Sequence, residues 1–193
     1  QPLISTALSR MPLALDSLAV WPVISGLLFL FRSPGVAYNE VVVSLLEKPG
    51  SYHPLKKFAY LLTFVTTALL LAVVMTPLAR IWFIDITSLP QALYPLARNA
   101  LWFSLLIPGA NTLQSWFQGI LLHAGKTKGI PEAVGIFLVS TILLYIGGIM
   151  TAFAPGIYIG TLGFSLGMAL QAYWLKQKTR QVKINDQALP TLT

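Results

Sequence analysis

Apolar residues run through this chain in long blocks that only short polar turns interrupt. From Leu13 to about Leu46 the spacing predicts a helix, with Pro22 and Pro34 as expected bends. Phe58 to Met75, Ile130 to Met150 and Ile157 to Leu175 are three further blocks. Each is close to the roughly 20 residues that a helix needs to cross the hydrocarbon core of a bilayer. The separators are turn-formers: Ser9 to Pro12, Lys48-Pro-Gly-Ser-Tyr-His-Pro, and Pro155–Gly156. Leu78 to Ile86 is a short apolar piece holding Trp82 between Arg80 and Asp85, which suits a membrane interface. Gln1 to Leu8 is expected to be the end of a span whose beginning lies upstream.

Leu96 to Leu122 breaks this pattern. It is long enough to span, yet Ser104, Asn111, Ser115 and Gln118 follow one another at spacings that put all four on one helix face. Gln114 lies at the edge of that stripe. Lipid cannot satisfy such groups, so the stripe must face protein or water. Pro108–Gly109 predicts a kink in the middle. A kinked span with a polar stripe reads as one wall of a cavity, although interhelical hydrogen bonding alone would use the same residues. Arg98 points away from the stripe on a straight helix. It joins the cavity only if the kink rotates its half, and otherwise snorkels outward.

The first long block carries a second stripe: Trp21, Ser25, Arg32 and Asn39. An arginine at membrane depth costs about 2.5–3.5 kcal/mol on insertion scales unless it finds water or a partner. The candidate ligand-binding set is therefore Arg32, Asn39, Arg98, Asn111, Gln114 and Gln118. The competing reading of Arg32 is an ion pair with Glu40 or a place at the interface.

Composition agrees with the pattern. Of 193 residues, 55% are hydrophobic and 10% charged, with a mean hydropathy of +0.72. A soluble domain carries roughly 25% charged residues, so an all-α, polytopic transmembrane bundle is expected. None of the residues is cysteine, which removes disulfides and thiolate chemistry. The net charge of +7 sits beside the spans rather than among aromatics on a soluble face, so nucleic acid is set aside as a partner. Counting spans puts loops 48–57 and 123–129 and the basic tail 179–193 on one side, which the positive-inside rule makes cytoplasmic. The opposite loops carry only Arg10 and Arg80. This supports about five complete helices plus a truncated one, in a lobe spanning 1–178, with the tail expected to be disordered. Gly156/Gly160 and Gly163/Gly167 stand at the spacing that lets helices approach closely.

Enzyme chemistry finds no footing. His53 and His123 are isolated, and Asp16, Glu40 and Glu132 lie on different elements. No phosphate loop, nucleophile elbow or zinc-binding motif occurs. No cofactor or metal is expected; a lipid-modifying enzyme and a scaffold are two alternative readings.

With the spans placed, Pro54–Phe64 (PLKKFAYLLTF) and Leu113–Ile130 (LQSWFQGILLHAGKTKGI) carry a resemblance. The chain resembles the second half of multidrug/oligosaccharidyl-lipid/polysaccharide exporters, nearest to bacterial relatives of the progressive ankylosis protein. The resemblance runs from the truncated first helix to the tail, without a short signature motif. It implies one six-helix lobe of a twelve-helix, two-lobe transporter of the bacterial inner membrane, with an N-terminal lobe as its partner. The branch implies an anionic small solute such as pyrophosphate, a nucleotide or citrate. Other branches imply a flippase for lipid-linked sugars or a multidrug efflux carrier. The drug exporters tend to have buried carboxylates in this lobe, where this chain has arginine and amides.

The orientation is directly testable. Single cysteines placed at Lys56, Lys126 and Lys178 should be protected from an impermeant thiol reagent in intact cells and react after permeabilisation. Labelling of all three from outside would reverse the orientation.

Overall fold

The structure is a computed structural model that describes residues 2–181. It is all-helical, with no strand among those residues. A short α1 (Pro2–Leu8) leads into α2 (Ala14–Leu45) and α3 (Tyr52–Met75). A small α4 (Leu78–Arg80) continues as one π-helical stretch, Ile81–Ile86. Then come α5 (Tyr94–Phe103), α6 (Leu106–His123), α7 (Gly129–Thr151) and α8 (Gly156–Arg180). The basic tail beyond α8 lies outside the described residues.

Three helices, α2, α3 and α7, are long and apolar enough to cross a membrane. The side chains are distributed as a lipid-facing bundle requires. Leu15, Phe64, Leu143 and Met150 are exposed, while Ser17, Thr66, Asn111, Thr112 and Gln114 are buried. In water that surface would be a large aggregation liability; in lipid it costs nothing, and polar groups become the interior glue. This marks the chain as a membrane protein.

The central block does not form the single helix expected of it. The chain breaks at Ser104–Leu105, between α5 and α6, and not at Pro108–Gly109. Pro108 instead occupies the first turn of α6, where a helix N–H has no partner in any case and proline therefore removes nothing. Ser104 is fully buried and turns its hydroxyl back to the Ala100 carbonyl at 3.1 Å. At the other end, α6 stops on Gly125, whose φ of +66° admits the left-handed turn. There Lys126 N donates to the Leu121 carbonyl and Gly125 N to that of Leu122.

Close approaches then set the bundle. Arg32 meets Asn111, Asn39 meets Ser115 and Val42 meets Gly119, so α2 and α6 run side by side in the same direction. A methyl on Gly119 would fall 2.8 Å from Val42 Cβ, and one on Gly35 would lie 3.2 Å from the Thr112 backbone. The α8 glycines are points of close approach, as their spacing predicts, and they divide between two partners. Gly156 and Gly160 face Met11 and Leu8 at the α1 side, while Gly163 and Gly167 face Tyr145 and Thr141 on α7. The first turn of α8 is capped from the α1–α2 corner: Gly156 N donates to the Pro12 carbonyl and Ile157 N to Ser17 Oγ. The core divides in two. One cluster gathers Trp21, Leu28, Phe83 and Ile107. The other gathers Tyr38, Leu55, Trp116 and Leu175 toward the end that carries the basic loops. At that end Lys126 Nζ donates to the Gln181 carbonyl and Lys178 pairs with Glu132 at 2.7 Å.

The α2–α6 seam should be intolerant of added volume. Gly119→Ala is expected to lose about 1–3 kcal/mol by overpacking against Val42. Gly147→Ala, whose new methyl would meet nothing within 4 Å, should be neutral or slightly stabilising. Thermal unfolding of the purified variants in detergent separates the two, and equal behaviour would refute the seam.

Candidate functional site

Arg32 falls near the middle of α2, roughly 27 Å from its start and roughly 20 Å from its end at the rise of an α-helix. Its side chain is held by a reciprocal pair. Arg32 Nη2 and Nε donate to Asn111 Oδ1 at 3.2 and 3.4 Å. Asn111 Nδ2 returns a hydrogen bond to the Arg32 carbonyl at 3.2 Å. The absent side chain of Gly35 makes room for this, because a methyl there would sit 2.7 Å from Asn111 Nδ2. No carboxylate pairs with Arg32 among the described residues, and Glu40 is exposed. Two of the five guanidinium N–H groups are thus engaged, and three have no protein acceptor among those residues.

On its other side Arg32 borders a cavity of about 310 Å³ between α1, α2, α7 and α8. The α2 stripe of Trp21, Ser25 and Arg32 forms one wall. Phe164 of α8 sits at the junction: its ring lies 5.8 Å from the guanidinium carbon, 6.3 Å from Trp21 and 5.5 Å from Phe137, the last two edge-on. A cation over an aromatic face contributes about 0.5–2 kcal/mol depending on desolvation. Deep in the cavity Trp21, Leu28, Thr141 and Tyr145 are buried, while Leu3, Phe29 and Leu138 are exposed at the rim. Trp21 Nε1 and Thr141 Oγ1 have no hydrogen-bond partner among the described residues. Ser25 is spent locally, donating to the Pro22 carbonyl at 2.9 Å.

The other candidates are placed differently. Asn39 donates to the Ser115 carbonyl at 3.2 Å, and Gln114 to the Met168 carbonyl at 2.8 Å. Asn111, Asn39 and Gln114 therefore tie α6 to α2 and α8, which is the interhelical bonding that the stripe also allowed. Gln118 is half-buried with no hydrogen-bond partner among the described residues. Arg98 is not brought to Arg32. Its Nε and Nη2 donate to the Val74 carbonyl at 3.4 Å, close to the C-terminus of α3, where helix carbonyls are left without partners. The break at Ser104–Leu105 leaves Arg98 on α5 against the end of α3 and outside the cavity.

The far wall of the cavity was not among the residues singled out from the sequence. Phe137, Thr141 and Tyr145 stand four residues apart on one face of α7, which is a visible signal. It is complementary to Gly163 and Gly167 on α8, against which Tyr145 and Thr141 pack. Tyr145 closes the seam by donating to the Gly160 carbonyl at 3.1 Å.

No family model, curated protein or solved structure matches the chain.

The Arg32–Asn111 pair should carry stability as well as position. Asn111→Leu is expected to cost about 1–3 kcal/mol, since it strips the guanidinium of its acceptor inside the bundle. Pro108→Ala, which removes only a first-turn ring, should lose less. Thermal unfolding in detergent would contradict this assignment if Pro108→Ala proved the more damaging.

Proposed function

We propose that the chain is one lobe of a secondary transporter that binds an anionic small solute at Arg32 and moves it by alternating access, without chemical turnover. One observation carries the reading: a guanidinium near mid-helix, with no carboxylate partner among the described residues and with spare donors beside a cavity. Burying such a cation among apolar side chains costs several kcal/mol. A bound anion would offset that cost, whereas a purely structural arginine is expected to have an acidic partner.

In this reading the bundle is a six-helix lobe of an exporter of the multidrug/oligosaccharidyl-lipid/polysaccharide type, with α1 as the short first member. The α5–α6 pair would act as one broken span. Discontinuous helices are where transporter sites of this kind are commonly built. An N-terminal lobe would supply the opposite wall, and rocking of the two around Arg32 would expose the solute to each face. The clustering of Lys126, Lys178 and their neighbours at one end supports placing that end in the cytoplasm of a bacterial inner membrane.

Transport tests the proposal. In cells or vesicles containing the natural chain, Arg32→Gln should reduce movement of labelled anions at least tenfold with normal membrane insertion. Arg32→Lys should recover only part, because lysine supplies charge without the planar fork. The double exchange Arg32→Glu/Glu40→Arg should not restore activity. Anion transport that is unchanged in Arg32→Gln would remove the site from the mechanism.

A further inference from the structure

We infer that the cavity beside Arg32 takes a monoanionic ligand with an apolar or aromatic body, a monocarboxylate in chemical class, and discriminates against polyanions. This rests on the reading of Arg32 as an anion site and narrows what that anion is.

The argument starts from the charge available. Of the twelve side chains that line the cavity, Arg32 alone is charged. The other arginine singled out from the sequence, Arg98, does not line the cavity and is committed to the Val74 carbonyl. The lysines at the basic end line separate depressions, with Lys178 already paired to Glu132. One positive charge in an apolar site balances one negative charge. Every further ionised group would stand unpaired among Leu28, Phe137 and Phe164, at several kcal/mol each. Pyrophosphate or citrate would carry at least one such group.

The donor geometry leads to the same class. Asn111 Oδ1 takes the Nε and one Nη2 hydrogen of the guanidinium. Three N–H groups are left, one on Nη2 and two on Nη1; the two at the end of the fork are parallel and match the two oxygens of one carboxylate. Asn111 thus acts as a positioning residue: it fixes which edge of the guanidinium is presented.

The walls define the rest of the molecule. Phe164, Phe137 and Leu28 offer apolar surface directly beside the charge, and Phe29 and Leu138 extend it to the rim. A volume of about 310 Å³ is at the lower end of the range for small-molecule sites, roughly 300–1,000 Å³. Aromatic bodies gain edge-to-face contact with Phe164 in addition to area burial. The neutral groups Trp21 Nε1 and Thr141 Oγ1 add no compensating charge for a second acid group.

Isothermal titration of the purified natural chain in nanodiscs separates the outcomes, with benzoate, its neutral analogue benzamide, pyrophosphate and citrate as ligands. Benzoate should bind at least tenfold more tightly than each of the other three. Arg32→Gln should abolish that preference over benzamide, and Phe164→Ala should weaken benzoate at least fivefold. Arg32→Lys and Phe164→Leu, which keep charge and apolar volume respectively, should retain part of the binding and guard against misfolding as the explanation. Pyrophosphate or citrate binding more tightly than benzoate, and lost in Arg32→Gln, would overturn the monoanion inference while leaving the anion site intact. Binding of benzamide as strong as benzoate, indifference of all ligands to Arg32→Gln, or no binding of any of the three anions would overturn both.

Discussion

The reciprocal pairing of Arg32 with Asn111 is the constraint on which the arrangement of α2, α6 and the cavity depends. A guanidinium near the middle of a long apolar helix must find acceptors inside the protein, since lipid has none. Asn111 supplies one oxygen to two donors and ties its own amide to the backbone carbonyl of the same arginine. That bidentate lock needs the two helices nearly in backbone contact, and Gly35 permits it. Position, charge and helix spacing are therefore set by one local geometry. Arg32 also lines the aromatic cavity, its guanidinium carbon 5.8 Å from the centre of the Phe164 ring.

The remaining polar groups of α6 follow from the same requirement. Gln114 donates to α8 and Ser115 accepts from Asn39 on α2, so α6 is held from two sides. Its stripe faces protein rather than solvent, and the cavity lies on the far side of α2. Asn39, Asn111 and Gln114 are thus engaged in interhelical hydrogen bonds, while Arg32 also borders the aromatic-lined cavity.

Helix α8 completes the cavity by close packing. Its glycines admit α1 on one face and α7 on the other, and Phe164 projects between them toward Trp21 and Phe137. Capping of its first turn by Pro12 and Ser17 anchors that end to the α1–α2 corner.

Hydrophobic periodicity by itself determined the helical class and the bounds of α2 and α7 to about one residue, because apolar length is a local property; α3 begins at Tyr52, inside the expected turn, and α8 runs past Leu175 to Arg180, because polar residues extend both helices beyond their apolar blocks. It also identified Arg32 as an expensive residue needing an explanation, and the α8 glycines as contact points. The break between α5 and α6 was not legible. Pro108 is the local breaker, yet the chain bends at Ser104–Leu105, where a buried hydroxyl can return to the Ala100 carbonyl, and proline is harmless in a first turn. The fate of each polar stripe was equally hidden. Periodicity says that Asn111, Gln114 and Ser115 share a side of a helix, but not what stands opposite. Only the tertiary structure decided that α2 and α8 meet that face, leaving Arg32 to look the other way onto Phe164, because partner choice is a property of helix pairs and no single helix encodes it.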